Sequence, residues 1–338
     1  MSPTSYRLPQ QGRHDPLRRF TSTPHASQFK VCGRTIRFET NSSQLFNQVA
    51  QLLQQYSPPV GDPEFFWRIV VQSSPEAVPP WPRQCAFSDG DLRYLHFGQS
   101  TFVAVDLKRR RAIAFLSQGL ADDLPGLVSP FLGNLFCLTA ASLGFTTIFA
   151  ACVGSAGRGL IIIAAPNNGK TTASYIAAKN GLQFHADRAL FLEMNGGRLL
   201  GWGDFWPAAF RSETLQFLPE LGDVTKPFYY RHFTFHYFDK RVFQPARAEP
   251  VIPVCCLFLQ RGVAAKPRIT PVSQVELRPL LAGSASFHED RRFHTQQTAV
   301  LDALTRLPAY EFAYDEDPAT AAEFFPRLLD SHPLGRAL

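Results

Sequence analysis

One stretch of the sequence combines an apolar strand, a short polar loop and a helix. Residues 160–164 form an apolar run rich in Ile, as expected of a strand buried on both faces. The loop 165–172 follows, and it leads into a helical segment that ends near Asn180. A strand that leads through such a loop into a helix is the phosphate-loop plan, in which backbone N–H groups at the helix N-terminus contact phosphate oxygens. This feature predicts an α/β fold.

The residues of this loop carry specific chemistry. They follow the pattern G-x-x-x-x-G-K-[ST], except that Ala164 stands at the first glycine. Lys170 would bring a positive charge to the β- and γ-phosphates, and Thr171 would offer a hydroxyl to a magnesium ion. A chance Gly-Lys-Thr at a helix start is the alternative. The predicted nucleotide-binding residues are Pro166, Asn167, Asn168, Gly169, Lys170, Thr171 and Thr172.

A carboxylate follows the next predicted strand. Asp187 lies 17 residues beyond Lys170, at the end of the strand predicted for 182–186. In a parallel sheet this end lies beside the phosphate loop, where ligands collect. We therefore predict Lys170 and Asp187 as catalytic residues, and Thr171 and Asp187 as metal ligands; an ordinary strand-end Asp is the alternative for Asp187. Arg188 and Arg211 are weaker candidates for contacts with the substrate.

The charge distribution divides the chain unevenly. Residues 1–37 contain seven cations and one anion, which equals the formal net charge of +6 of all 338 residues. The remainder is neutral, so the basic character belongs to a tail and a nucleic-acid partner is not expected. The predicted organisation is a disordered basic tail (1–28), an N-terminal α/β module (29–124), a catalytic domain (125–331) and a short tail (332–338). Local patterns further predict a proline-rich loop at 73–84, single strands at 147–153 and 228–238, a helix at 273–282 that begins with a capping box of Ser273 and Glu276, and a last helix, opened by Asp317-Pro318, that Pro326 kinks or interrupts.

Two further features bear on location. Residues 127–154 carry no charge, but Gly, Asn, Ser and Thr interrupt them. We predict a buried helix followed by a buried strand here, and no membrane span. The six cysteines show no metal-ligand spacing, and no secretory signal precedes them. Free thiols in a cytoplasmic protein are the expectation.

The segment 149–191 resembles the catalytic domain of HPr kinase/phosphorylase and its relatives. The resemblance rests on the strand, the Gly157-Arg158-Gly159 turn, the loop up to Thr172 and the Gly181-x-x-x-x-Ala186-Asp187 spacing. It continues more weakly through 254–259, 270–282 and 308–312, and covers about 125–331. It implies a phosphate-loop kinase fold of the HPr kinase/phosphoenolpyruvate carboxykinase type, with a mixed central sheet after an N-terminal α+β module.

The resemblance also implies an activity. ATP and Mg²⁺ would bind at 167–172, and Asp187 would accept a proton from a hydroxyl, most plausibly a serine of a peptide or small protein. The family's second Asp falls on Arg188 and its upstream His on Phe149, so phosphorylase activity is not expected. A catalytically impaired nucleotide-binding scaffold and a kinase of a free hydroxylated metabolite are the alternatives. Self-association is common in the family, so a homo-oligomer is among the expected states.

Overall fold

The computed structural model describes residues 21–53, 61–73, 84–97, 101–123, 126–225, 227–230, 233–243, 249–286 and 290–332. Residues 1–20 and 333–338 of the predicted tails, and 74–83 of a predicted proline-rich loop, lie outside this set. Within it, helices accompany sheets that contain both parallel and antiparallel strand pairs. The fold is therefore mixed α/β, as predicted.

Seven strands in the first part of the chain form one sheet, ordered β1-β2-β3-β7-β6-β5-β4. The pairs β2–β3 and β3–β7 are parallel, and the others are antiparallel. β1 begins inside the predicted tail 1–28, and β4 was not predicted. The strands are β1 His25–Val31, β2 Arg34–Thr40, β3 Phe65–Gln72, β4 Gln84–Asp89, β5 Leu92–Phe97, β6 Thr101–Asp106 and β7 Arg111–Ser117.

Helices cover one face of this sheet. Helix α1, Ser43–Leu53, buries Leu45, Val49 and two further leucines at helical spacing. The short α2, Gln118–Asp122, follows β7 and is capped by Ser117.

The uncharged run 127–154 begins with the predicted helix. It consists of a π-helical turn, Leu127–Leu132, and α3, Gly133–Ser142. Trp67 of β3 donates to Thr139 Oγ1 at 2.9 Å, and the apolar side chains of both segments share one core. This core spans the position where the boundary 124/125 was placed, and the boundary stays a prediction. None of the helices in the described part of the chain has the length and apolar character needed to cross a membrane.

A second, six-stranded sheet carries the phosphate loop. Its order is β11-β9-β10-β17-β19-β18, with β10, β17 and β19 parallel and with β9 and β18 antiparallel to their neighbours. Apolar side chains fill the layers on both of its faces. The strands are β9 Ala151–Ser155, β10 Arg158–Ala164, β11 Gln183–Ala186, β17 Ile252–Arg261, β18 Arg268–Pro271 and β19 Ala309–Tyr314.

Two three-stranded sheets complete the β-structure, ordered β13-β12-β8 and β14-β16-β15. The strand predicted at 147–153 is in fact divided between β8 and β9, because the chain changes sheet at Phe149, whose N–H bonds to Ser284 O at 2.8 Å. The aromatic run 228–238, predicted as one strand, contains the antiparallel pair β15–β16. The strands are β8 Thr146–Ile148, β12 Leu190–Asn195, β13 Arg198–Trp202, β14 Ala208–Arg211, β15 Pro227–Tyr230 and β16 Phe233–Phe238.

The remaining helices pack around these sheets. The predicted capping box of Ser273 and Glu276 is present at the start of α6. The last helix is interrupted, as predicted for Pro326: the break falls at Glu323, beside the carbonyl of Ala322, to which a proline four residues later cannot donate, and Pro326 itself occupies the first turn of α9. The helices are α4 Lys170–Lys179, α5 Glu220–Val224, α6 Gln274–Ser284, α7 His294–Leu304, α8 Pro318–Ala322 and α9 Phe324–Ser331.

Candidate functional site

The loop between β10 and α4 is a compact turn. Asn168 donates its N–H to Ala165 O at 3.2 Å, while Asn167 and Gly169 have φ angles of 72° and 78° in the left-handed region. Gly169 is required for a second reason, because a Cβ there would lie 2.5 Å from the hydroxyl of Tyr314. Ala164, at the first glycine of the pattern, is the last residue of β10 and pairs with β17, so no glycine is needed there.

The ends of the neighbouring parallel strands hold this turn in place. Tyr314, the last residue of β19, donates its hydroxyl to Asn168 O at 2.9 Å. Asn168 in turn donates its side-chain amide to Leu259 O of β17 at 3.4 Å. Burial raises the pKa of Tyr314 well above its ordinary value, so the hydroxyl remains a donor. The turn is thus held by hydrogen bonds from within the protein.

The first turn of α4 presents backbone donors. Gly169 is its N-cap and has no side chain with which to make a capping hydrogen bond. The N–H groups at an α-helix start have no intrahelical acceptor, and the first helical bond here runs from Ala173 N to Gly169 O. Together with the positive end of the helix dipole, these donors form a site suited to an anion. Pro166 and Asn167 are exposed at its rim, Thr171 is half-buried and Thr172 is buried.

Asp187 lies at the same edge of the sheet. β11 is separated from β10 by β9, but both strands are antiparallel to β9, so β11 runs in the direction of β10 and their carboxyl ends lie at the same edge. Asp187 is fully buried. Its Oδ2 accepts the N–H of Ala209 at 3.3 Å, and its Oδ1 has no hydrogen-bond partner.

Lys170 and Asp187 are close enough to interact electrostatically. Burial lowers the pKa of Lys170, the Asp187 carboxylate opposes that change, and the positive charge of Arg188 adds to it. Arg188 Nε lies 3.9 Å from Asp187 Oδ2, and its side chain is about one-third exposed. Three predicted residues therefore meet at one place. Arg211, the last residue of β14, lies two positions after Ala209 and is half-buried.

The sequence did not predict a second buried acid and a buried lysine beneath this site. Asp204 Oδ2 accepts three consecutive backbone N–H groups, those of residues 187, 188 and 189, at 3.0, 3.1 and 3.3 Å. Its Oδ1 forms an ion pair with Lys240 Nζ, and the side chains of both are almost completely inaccessible. Burial lowers the pKa of Lys240 to about 7, the Asp187 carboxylate opposes this, and Arg188 adds to it.

One signal in the sequence could have identified Asp204. Gly203 immediately precedes it, and a Cβ at that position would lie 1.9 Å from His185 O, so the backbone passes directly against β11. A glycine before an acid in the Gly201–Asp204 turn is compatible with such a close approach. Lys240 gave no comparable signal, because it begins a short 3₁₀ helix, Lys240–Phe243, 36 residues away from its partner.

The donor set suits phosphate and a hard cation. Among the described residues, no group of three or more His, Cys, Asp or Glu side chains could hold a metal ion. Mg²⁺ commonly takes one or two carboxylates, with phosphates and water completing its shell. The unpartnered Oδ1 of Asp187 and the hydroxyl of Thr171 supply oxygen ligands of that kind, and the uncapped start of α4 supplies donors for phosphate.

Comparisons with known proteins give little. No protein-family model matches the chain, and no curated protein matches it. One solved structure with local similarity is the HPr(Ser) kinase/phosphatase from Coxiella burnetii, at 10% identity over 55% of this chain and 88% of that chain, with a TM-score of 0.27. At this identity and TM-score, the likeness is at most that of a distant relative and establishes neither a shared fold nor a shared activity.

Proposed function

We propose that the protein is an ATP- and Mg²⁺-dependent kinase that transfers the γ-phosphoryl group to a hydroxyl, with a serine of a peptide or small protein as the acceptor class. The observation that carries this proposal is the pairing of an uncapped helix N-terminus with a buried carboxylate oxygen that has no hydrogen-bond partner. Lys170 connects the two, since it belongs to the helix N-terminus and interacts electrostatically with Asp187.

The phosphate side of the site follows from the loop. The N–H groups of Lys170, Thr171 and Thr172 would donate to phosphate oxygens, and the Lys170 ammonium would neutralise charge that develops on the β- and γ-oxygens. Thr171 and Asp187 would hold the metal ion. ATP with Mg²⁺ supplies the phosphoryl group and a divalent charge when bound. Phosphoryl transfer needs mainly positioning and charge stabilisation, both of which a rigid loop provides.

The acid side of the site provides the proton acceptor. Asp187 Oδ2 is held by Ala209 N–H, which leaves Oδ1 to accept the proton of the attacking hydroxyl. A carboxylate has about four lone-pair positions, so one such group can serve both the metal ion and the hydroxyl. The acceptor oxygen forms the new bond to the γ-phosphorus as the bond from that phosphorus to the leaving ADP breaks, and the proton of the hydroxyl moves to Asp187.

A nucleotide-binding scaffold without turnover is the second candidate function. The Arg188 guanidinium, 3.9 Å from Asp187 Oδ2, favours it. A positive charge at that distance stabilises the ionised carboxylate and makes it a weaker base. In this candidate, ATP would bind at the start of α4 while Asp187 would serve only in binding.

A nucleotide titration followed by turnover separates these functions. We expect ATP with Mg²⁺ to raise the melting temperature of the wild-type protein, and γ-labelled ATP to lose its label to acceptor or water. Asp187→Asn should retain binding of metal-free ATP but lower turnover by about 10²- to 10⁴-fold, the range for loss of a general base. Stabilisation without turnover would favour the scaffold, and no stabilisation by ATP would exclude both functions.

Lys179→Ala is the matched control for variants of the loop. Lys179 ends the same helix, and its exposed ammonium pairs with Glu220 on the surface. Loss of an exposed ion pair changes the free energy of unfolding by less than about 1 kcal/mol. The control should therefore bind and turn over ATP as the wild-type protein does.

A further inference from the structure

The carboxylate of Asp204 is fully occupied by protein groups. Oδ2 accepts the N–H groups of three successive residues, at 3.0, 3.1 and 3.3 Å, and Oδ1 contacts Lys240 Nζ. Successive N–H groups that converge on one oxygen form an anion-binding concavity in the backbone. Here the concavity is formed by the residues directly after β11, and the chain fills it with its own acid.

This arrangement fixes the backbone of Asp187 itself. Asp187 is the first of the three donors, and Ala209 N–H holds its Oδ2 from the other side. The backbone of Asp187 and its Oδ2 are thus both restrained, and together they restrict the orientation of Oδ1. Gly203 seats Asp204 against β11, where no larger residue would fit.

Lys240 is the counter-charge that this arrangement requires. A buried carboxylate without a counter-charge is costly, and removing one partner of a buried ion pair is strongly destabilising. Lys240 also lies over the ring of Phe184 in β11, with Nζ 5.9 Å from the ring centroid, and it interacts electrostatically with Asp187. Its ammonium therefore contacts Asp204 and is also close enough to the candidate base, Asp187, to interact with it electrostatically.

We propose that the buried Asp204–Lys240 pair is a positioning device for Asp187: it holds the residues after β11 so that Oδ1 is directed toward the metal ion and phosphate at the start of α4. This role rests on the proposed function. It makes Asp204 and Lys240 positioning residues, since neither is placed in contact with the nucleotide. A distortion of about 1 Å in such a support can cost about 10²-fold in a site that depends on geometry.

The test measures ATP affinity with and without Mg²⁺, using a fluorescent ATP analogue at a pH below the lowered pKa of Lys240, where its side chain is the ammonium that pairs with Asp204. Phosphate binding by the loop should survive loss of the pair, whereas the gain in affinity from Mg²⁺ should not. We expect Lys240→Met to reduce that gain about 10- to 100-fold, the usual effect of losing a partner that orients a metal ligand. Affinity for metal-free ATP should stay within about threefold of the wild-type value, and Lys240→Arg should restore most of the gain because it keeps the charge.

A double variant separates positioning from folding. Asp204→Asn with Lys240→Met removes both charges, which is often neutral for stability when each single change is not. The melting temperature should then recover relative to Lys240→Met, while the Mg²⁺ gain stays low because an amide oxygen holds the three N–H groups more weakly than a carboxylate. Recovery of both quantities would reduce the pair to a structural role and overturn the proposal.

The remaining outcomes are distinguishable from one another. If Lys240→Met keeps the full Mg²⁺ gain, or if wild-type affinity shows no such gain, the positioning role is wrong while ATP binding stands. If metal-free and Mg²⁺-dependent affinities fall together in Lys240→Met and Lys240→Arg, the pair only supports the fold. If the wild-type protein does not bind ATP at all, the proposed function itself fails, and this role fails with it.

Discussion

Two buried ion pairs in this molecule differ in what they hold. Arg93 of β5 forms an ion pair with Asp290, and the side chains are 8% and 19% exposed. The Asp290 carboxylate also accepts from Arg292 and caps the helical turn that follows it. The Lys240–Asp204 pair is sealed more tightly, at 7% and 0% exposure, and its carboxylate holds the residues that carry Asp187.

Burial of an ion pair therefore does not by itself identify a functional site. The Arg93–Asp290 pair joins the N-terminal sheet to the segment before α7, and Arg93 also donates to the carbonyls of Gly90 and Leu92. Every group there is matched within the structure. The edge near Asp204 instead leaves one buried carboxylate oxygen, on Asp187, without a hydrogen-bond partner. Such an unmatched group is costly unless a ligand completes it.

The largest expected effect comes from removing the loop cation beside that oxygen. Lys170→Ala should lower turnover of Mg²⁺-ATP by a factor of several hundred, equivalent to about 3–4 kcal/mol of transition-state stabilisation. The melting temperature should change little, since Lys170 is half-buried and its pKa is already lowered by burial. Steady-state assays with Lys179→Ala alongside check this. Turnover at the wild-type rate in Lys170→Ala would contradict the assignment.

The second effect tests the other ion pair. Arg93→Met should lower the free energy of unfolding by about 2–3 kcal/mol, because the mostly buried carboxylate of Asp290 loses the positive charge of Arg93. ATP affinity and its dependence on Mg²⁺ should remain those of the wild-type protein. Denaturant unfolding and nucleotide titration of the same variant measure the two quantities.

Arg109→Met is the control for this change. Arg109 is 79% exposed and pairs with Asp106 three residues before it, so its loss should cost less than about 1 kcal/mol. A clear loss of Mg²⁺-dependent ATP binding in Arg93→Met would break the distinction between the two ion pairs.

What could be predicted from the sequence is local. The phosphate loop needs a strand, a turn with a glycine and a helix start, all within 160–172, and the structure forms each of these elements there. The capping box of Ser273 and Glu276 is equally local. The placement of Asp187 at the same sheet edge as Lys170 followed from strand direction alone, although β9 intervenes between β10 and β11. The roles of these residues in catalysis stay predictions.

What could not be predicted depends on contacts distant in sequence. The apolar run 147–153 reads as one strand, and only the contact of Phe149 with Ser284 shows where it divides between sheets. The run 228–238 is mostly aromatic and offers no Gly or Asn to mark a turn. Asp204 and Lys240 meet across 36 residues, so neither residue's immediate neighbours reveal the partner.

The backbone of the loop is tested by a substitution at Gly169. Gly169→Ala should cost about 1–2 kcal/mol for its left-handed φ, and more for the 2.5 Å approach of the new Cβ to the Tyr314 hydroxyl. ATP affinity should fall as well, because the turn that presents the helix N-terminus must shift.

Gly181→Ala isolates the first of these costs, the one due to φ. Gly181 follows the same helix with a φ of 102°, and a Cβ there would meet no atom within 4 Å. It should therefore show the backbone cost alone and unchanged ATP affinity. Equal destabilisation by the two alanines would mean that the loop can yield to the Tyr314 hydroxyl. The free energies of unfolding and the ATP titrations are measured on both variants.

The smallest expected effect is a difference in pH dependence between the two ion pairs. Burial lowers the pKa of Lys240 to about 7, whereas an unfolded lysine titrates near about 10.4. Between these values the unfolded chain binds more protons than the folded one, so the contribution of Lys240 to stability increases as pH rises.

The free energy of unfolding should change with pH by at most about 1.4 kcal/mol per pH unit. Wild-type stability should therefore rise relative to Lys240→Met between pH 7 and about 8.5. The buried thiols, whose pKa values are raised, also titrate in the unfolded chain near this range, but they contribute equally to both proteins and cancel in the difference. An arginine side chain is not deprotonated in proteins, so the difference between wild type and Arg93→Met should stay constant. Two parallel unfolding series at pH 7.0 and 8.5 decide the matter, and a constant difference for both variants would show that Lys240 keeps its proton in the folded protein throughout this range.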